Sequence, residues 1–520
     1  MNIEYICHAS LLIETADLRI ATDPWFAGPA NCRQWYVFPK PVNQDKIRDV
    51  EAIFISHGHE DHLHEESLRQ MPKDAVVYYP YSFFGGAKEY IESLGFGTVN
   101  EAVTFRKLSV SSETTVTFIL NSHDSIIVVE SGGQVLVNIN DALHSYPEKV
   151  INYYVDAINQ RWPKIDYVFC GFGGSSYFPN TMHISGKDDI EIGLAREQLF
   201  VHNFCKIVHD LNPRIAVPFA ADFVLLDDSQ RWINEVRFPR TKIGEYYEKY
   251  FSNGEDGPVI HVMFSGDRIE EGELVQSSPY HLDLTDGDLA HLIEEQYASE
   301  IGEREHVRTV DEAKAEQLVE KIAANVRKRM TLYKHGELKD LKFLLHLTDV
   351  VERFYYHIEF DRGEPRVWRS ESPDDDFLLT MKLSSEVLEY AIGSDWGADV
   401  ISVGYGAEIY VSDDKAAFVD MERVCMNLLA CYPTVSEWKN APLRTLQFLL
   451  LGPPKFTTSI RKLKKFNLES ENYDRKVWLL YNGCEIRKRY HLPELEPGFV
   501  PRFVAQHGAG RSRTSTAARP

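Results

Sequence analysis

Ile53-Phe54-Ile55-Ser56-His57-Gly58-His59-Glu60-Asp61-His62 decides how this chain is read. Ile53, Phe54 and Ile55 form a short apolar run of the kind that makes a buried strand. Behind it come His57, His59, Asp61 and His62, four metal-ligating side chains in six residues. Imidazole combined with carboxylate suits zinc, iron or manganese. A strand fixes where its following turn begins, so ligands carried on that turn can converge on one point. The competing explanation is a solvated loop that is histidine-rich by chance. Its ordered spacing weighs against that, since short His-rich tracts already lean toward metal.

Around this stretch the chain has 520 residues, enough for two to four domains at roughly 100–200 residues each. A hydrophobic content of 44% supports ordinary globular cores. The net charge of −22 argues against a general affinity for nucleic acid or an anionic membrane. No apolar run reaches the roughly 18–20 residues of a spanning helix. Met1-Asn2-Ile3-Glu4-Tyr5 lacks the basic and apolar regions of a signal peptide, so a cytoplasmic protein is the expectation. The cysteines, Cys7, Cys32, Cys170, Cys205, Cys425, Cys431 and Cys484, are scattered and never spaced Cys-x-x-Cys. That argues against a disulfide framework and excludes a zinc ribbon. No Cys-x-His or Cys-x-x-His pair occurs either, so the sequence carries no Rieske-type cluster.

Residues 1–130 read mostly as short strands: Ile3–Tyr5, Leu11–Glu14, Leu18–Thr22, Ala52–Ile55, Val76–Tyr79, Val116–Leu120 and Ile126–Glu130. Helices are expected over Glu65–Gln70, Lys88–Leu94, Glu148–Arg161 and Ile190–Leu211, the last stopped by Asn212-Pro213. The alternation implies two facing sheets with helices outside, over residues 1–275, with Val259–Phe264 as a last strand. A helical connector is expected over 276–345. A smaller α+β domain follows over 346–500, with strands at Phe354–Phe360 and Val400–Val403 and helices at Ala416–Ala430 and Thr445–Leu451. Residues 501–520 are expected to be a disordered tail. Arg461-Lys462-Leu463-Lys464-Lys465 reads as a solvated helix face or a grip for an anion.

Further ligands must come from neighbouring strand ends. His123 precedes the strand Ile126–Glu130, Gly132-Gly133 turns the chain, and Val135–Ile139 returns it to Asp141. His123 and Asp141 therefore fall at one end of a hairpin, where a ligand and a bridging carboxylate belong. Asp23 ends another apolar strand before Pro24-Trp25.

The pattern His57-x-His59-x-Asp61-His62 resembles the signature of the metallo-β-lactamase superfamily. The expected fold is therefore an α/β sandwich of αββα layers. By that resemblance Asp23 orients the histidine loop by hydrogen bonding. His8, in Cys7-His8-Ala9-Ser10, resembles a His-Ala motif near the site and would handle substrate or protons. Members usually offer a further His near residue 218, where this chain has Val217-Pro218-Phe219-Ala220-Ala221-Asp222. Asp222 or His183 would have to substitute, or the second metal position is incomplete.

Several segments together resemble the CMP-N-acetylneuraminate hydroxylase family: Tyr5–Ala9, Thr22–Ala30, Ile55–His62, Ile126–Glu130, Gly171–Pro179 and Asn212–Ile215 with Pro218-Phe219-Ala220. In that family an N-terminal Rieske domain passes electrons toward an oxygen-activating iron site. This sequence begins at the β-lactamase-like part and has no such cluster. His123, Asp222 and His183 also depart from the family pattern, so neither the sugar-nucleotide substrate nor the electron route carries over. A hydroxylase here would need a separate reductase or ferredoxin.

Two enzyme chemistries fit the same ligands. Iron held by His and carboxylate would activate dioxygen and hydroxylate a small molecule, such as a sugar or nucleotide conjugate. One or two zinc ions would instead lower the pKa of water toward ~7 and polarise an ester, lactone or phosphodiester, with Asp61 orienting or deprotonating that water. The family resemblance tips the expectation toward oxidation. A non-catalytic scaffold is the third reading, disfavoured by the complete His57–His62 motif. Gly171-Phe172-Gly173-Gly174-Ser175-Ser176 lacks the P-loop lysine and reads as a substrate-lining loop or a packing turn. Trp25, Trp35 and Tyr36 read as core or as the mouth of a pocket.

Overall fold

The computed structural model describes residues 1–411 and 483–507, apart from 82–85, 122–123, 175–181, 253, 255–256, 282–288, 306–308, 331–340, 351–353, 362–363 and 375. Two sheets face each other. One runs in the spatial order Glu273–Val275, Arg268–Glu270, Asn2–Cys7, Ser10–Glu14, Arg19–Thr22, Ala52–Phe54, Val76–Pro80, Val99–Ala102. The other runs Val259–Ile260, Ile215–Phe219, Tyr167–Gly171, Gln134–Asn140, Asp124–Ser131, Thr114–Asn121, Lys107–Ser109.

Strand alternation creates the layers. Phe54 points between the sheets and packs with Phe118, Ile127 and Phe169. Its neighbours Ile53 and Ile55 point the other way, onto Leu68 and Ile91 of the helices Glu65–Gln70 and Ala87–Ser93. Outside the second sheet, Glu148–Arg161 buries Ile151, Tyr154 and Ile158 against Val201, Phe204 and Val208 of Asp189–Leu211. These residues form the αββα metallo-β-lactamase sandwich expected from the sequence.

A third, six-stranded sheet is built from Met182–Ile184, Glu408–Val411, Leu379–Leu383, Lys342–Leu347, Tyr355–Asp361 and Glu364–Ser370, in that order. Its first strand comes from within residues 1–275, and the start of Asp189–Leu211 packs in its core through Ile192, Ala195 and Leu199. The two sheet systems are thus interleaved in sequence. Between them run the helices Leu289–Glu305 and Glu312–Met330.

Three local expectations change. Val259–Phe264 shrinks to Val259–Ile260 and is not the last strand, because Arg268–Glu270 and Glu273–Val275 follow it and extend the first sheet. Val400–Val403 does not extend: Gly397–Ile401 is a helix whose five residues are all buried. A run that short carries no periodicity to separate strand from helix, and packing behind Trp396 decides. Residues 502–507, placed in the tail, form the helix Arg502–His507, held by Val504 against Leu194 and Val236. The expected helices Ala416–Ala430 and Thr445–Leu451 and the basic cluster Arg461–Lys465 lie outside the described residues. Among the described residues, no helix is long and apolar enough to cross a membrane.

Candidate metal centre

The strand Ala52–Phe54 is buried along its length and pairs in parallel with strands on both sides, so its end is rigidly placed. The loop that follows carries His57, His59, Asp61 and His62 into one space. His57 Nε2 lies 2.7 Å from His59 Nδ1. His62 Nε2 lies 3.5 Å from Asp61 Oδ2 and 3.3 Å from Asp141 Oδ2.

Asp23, at the end of the adjacent strand, fixes this loop from behind. Its carboxylate accepts from the Ser56 backbone N–H and the Ser56 hydroxyl, both at 2.7 Å. Its Oδ2 also sits 3.1 Å from His62 Nδ1. That contact turns Nε2 of His62 toward Asp61 and Asp141, the arrangement by which a carboxylate sets tautomer and basicity in a metal-binding His. Ser125 Oγ donates to the Ser56 carbonyl at 2.5 Å and ties the loop to the second sheet.

The hairpin brings its carboxylate as expected. Ile127 pairs with Asn138, and extending that antiparallel register sets Asp124 opposite Asp141. His123 lies outside the described residues. Its neighbour Asp124, which sequence reasoning passed over, stands 3.6 Å from His57 Nε2. The signal was present: successive strand residues face opposite sides, so His123 and Asp124 were equal candidates for the inward position.

Three groups of ligand atoms lie within 4.8 Å of one another: His8 with Asp61 and His62; His57 with His62 and Asp141; and His57 with His59 and Asp124. Shared members link them into one cluster. His8 joins through Nε2, 3.0 Å from Asp61 Oδ2. Asp222 and His183 belong to none of these groups. The Asp222 carboxylate accepts from Tyr5 Oη at 2.6 Å and the His8 backbone N–H at 3.2 Å, and it is ion-paired to Arg240. His183 pairs with Asp189 at 2.8 Å and stacks on Tyr410.

The residues fit a cation. His62 Nε2, one Asp124 oxygen and one Asp141 oxygen are buried without hydrogen-bond partners. Such orphaned groups are costly unless something satisfies them. The electrostatics agree. Burial and the nearby Asp141 push the Asp124 carboxyl up to about 7. Burial alone would lower His62, yet Asp61 and Asp23 outweigh it and hold the imidazole well above its usual range. Asp61 is held down in spite of burial, by His62 and by the contact with His8. Asp124 and His62 are thus shifted by the crowded carboxylates, whose charge a cation would offset.

The third sheet system closes over this centre. Trp396 Nε1 donates to the Gly58 carbonyl at 2.6 Å, inside the histidine loop, and the indole meets Tyr90 edge-on. Asp399, three residues on, is buried with one oxygen unpartnered. Burial, with Asp61 and Glu60 adding to it, holds its carboxyl well above the usual range. His144 backs Asp141 from the other side, and Gly171 has no room for a side chain because a Cβ there would lie 2.5 Å from His144 Nδ1. Gly173 and Gly174 continue that wall, whereas Ser175 and Ser176 lie outside the described residues. Trp25, Trp35 and Tyr36 are core: Trp25 is fully buried beside His8, and Trp35 stacks on Phe223 at 3.8 Å.

A two-sheet sandwich with a histidine loop at its strand ends defines a class. Residues 2–152 match the model described as a beta-lactamase superfamily domain. Among individual proteins, the chain is 24% identical over 474 residues to one of Mycolicibacterium smegmatis provisionally named a Rieske 2Fe-2S iron-sulfur protein, covering 81% of this chain and 86% of that one. It is 26% identical over 257 residues to the cytidine monophosphate-N-acetylneuraminic acid hydroxylase of Danio rerio, covering 45% of this chain. The match spans 40% of that hydroxylase's length. CmlA, a diiron beta-hydroxylase from Streptomyces venezuelae, aligns at a TM-score of 0.36 and 16% identity, over 53% of this chain and 54% of that one.

Proposed function

We propose that this chain is a metal-dependent oxygenase that hydroxylates a small molecule at the His57–His62 centre and takes its electrons from a separate donor protein. The observation that carries this reading is the donor set: three carboxylates, Asp61, Asp124 and Asp141, stand among the imidazoles, with no thiolate in these groups among the described residues. Oxygen donors mixed with imidazole suit iron, as they suit zinc or manganese. The 26% identity to a hydroxylase over the same part of the chain supports the choice of iron.

Iron, when bound, would supply the activation of dioxygen. His57, His59 and Asp124 would hold one position; Asp61 and His62 would hold a second; Asp141 would lie between them. His8 is the residue placed to take or give a proton at Nε2, next to Asp61. Trp396 and its helix keep bulk water from the loop. A cytoplasmic setting fits this chemistry, and the substrate class includes sugar and nucleotide conjugates.

The zinc hydrolase reading rests on the Asp61–His8 pair, which could orient and deprotonate a water. One experiment separates the two. The chain is expressed anaerobically with iron, bound metal is quantified, and oxygen uptake with an added reductase and ferredoxin is followed. Iron near one or two equivalents with oxygen uptake is expected. Zinc retention with nitrophenyl-ester or phosphodiester turnover would replace the oxygenase reading.

A further inference from the structure

A cavity of about 430 Å³ opens beside the metal centre. Asp222 lines it and also accepts the backbone N–H of His8, so the two sites share a wall. The volume falls within the range of small-molecule pockets, roughly 300–1,000 Å³. Phe38, Phe172, Phe223, Phe238, Phe264 and Phe503 are among the residues that line it.

The charged groups of the lining are mostly spoken for. Asp222 is paired with Arg240, and Glu197 with Arg196 at 2.8 Å. Arg237 differs. Its guanidinium lies 4.0 Å over the Phe223 ring, and Nη1 donates to the Phe223 carbonyl at 2.6 Å. Stacking and tether fix the plane of the group, so little entropy remains to be lost on binding. Among the described residues no carboxylate lies within ion-pairing distance of it. Arg237 is only partly buried; burial pushes it below its usual range, opposed by the more distant charges of Glu197 and Asp222.

We propose that this cavity binds a small organic anion, with Arg237 gripping a carboxylate or phosphate group and the phenylalanine walls holding an apolar or planar body. Arginine suits both anions because its fork can match two oxygens at once. Binding itself does not require the metal centre. Only the identification of the anion as the substrate rests on the proposed catalytic function.

The test is calorimetric titration of the chelator-treated full chain with phenyl phosphate, phenylacetate and neutral benzyl alcohol. At least one anion should bind ten times more tightly than the alcohol, and the tighter one identifies the anionic group. Arg237→Gln should weaken that anion tenfold or more and leave the alcohol unchanged. The double variant His59→Ala with His62→Ala should bind the anion as the parent does, which keeps this assignment separate from the metal reading. No preference for either anion, an unchanged affinity in Arg237→Gln, or loss in the histidine variant would overturn it. Should Arg237→Gln fail to fold, phenylglyoxal modification of the unaltered protein answers the question: bound anion must protect Arg237, and equal labelling with and without it sinks the proposal.

Discussion

Asp23 and Asp222 are both buried aspartates at strand ends, and their surroundings give them opposite duties. Asp23 spends its oxygens on Ser56 and His62, so it would act on a bound ion through the histidine loop. Asp23→Asn should therefore weaken metal affinity by about 10–100-fold, as such supporting contacts generally do, and metal-buffered titration measures it. Asp222 spends its oxygens on Tyr5, His8 and Arg240, with side-chain exposures of 6% for Asp222 and 10% for Arg240. Removing it strands a buried guanidinium. Asp222→Ala should cost about 3–5 kcal/mol in urea unfolding while metal content, read by mass spectrometry, stays near that of the parent. His59→Ala with His62→Ala should show the reverse: metal lost, fold kept. If Asp222→Ala emptied the site and the histidine variant did not, the ligand assignment would fail.

At the scale of elements, the histidine loop is held from two directions. The sandwich grips it through Asp23 and Ser125; the helix Gly397–Ile401 holds it from the outside through Trp396. Trp396 is 5% exposed. Trp396→Ala should destabilise the chain by about 3–5 kcal/mol, the usual loss for a buried Trp, and should also quicken metal release to a chelator. Unchanged release would mean that the helix covers the loop without supporting it. On the helix Asp189–Leu211, His202 packs on Phe251 at 4.8 Å. Burial, helped by the charge of Lys206, lowers its imidazole to about 4. An unfolded His titrates near ~6.5, so between these values the unfolded chain binds more protons. Its contribution to stability is complete above pH ~6.5 and fades as pH falls toward 4. Denaturation followed across that window should show a shallower decline in His202→Gln than in the parent.

For the molecule as a whole, interleaving governs how it can be divided. A fragment of residues 1–275 would keep the strand Met182–Ile184 without its neighbour Glu408–Val411 and would expose Ile192, Ala195 and Leu199. Unpaired strand edges flanked by apolar surface invite aggregation. That fragment should elute as aggregate in size-exclusion chromatography, whereas the full chain should not. The chain's return through Phe499 and the helix Arg502–His507 onto the sandwich adds a second tie.

The sandwich and the clustering of the candidate ligands were legible in the sequence because their signals are local. Alternation and apolar runs wrote the strands, Gly132-Gly133 wrote the hairpin, and the spacing of His57, His59, Asp61 and His62 placed four ligands on one turn. Asp141 followed from counting along that hairpin. What the sequence could not supply depends on partners distant along the chain. Whether Asp124 faces inward is set by sheet register, and whether Asp222 meets a metal or Arg240 is set by which loop packs against it. That Gly397–Ile401 is a helix over the histidine loop, and that Met182–Ile184 serves a sheet completed more than two hundred residues later, follows from long-range packing. A local pattern encodes which face of an element is apolar; only the assembled core decides what that face meets.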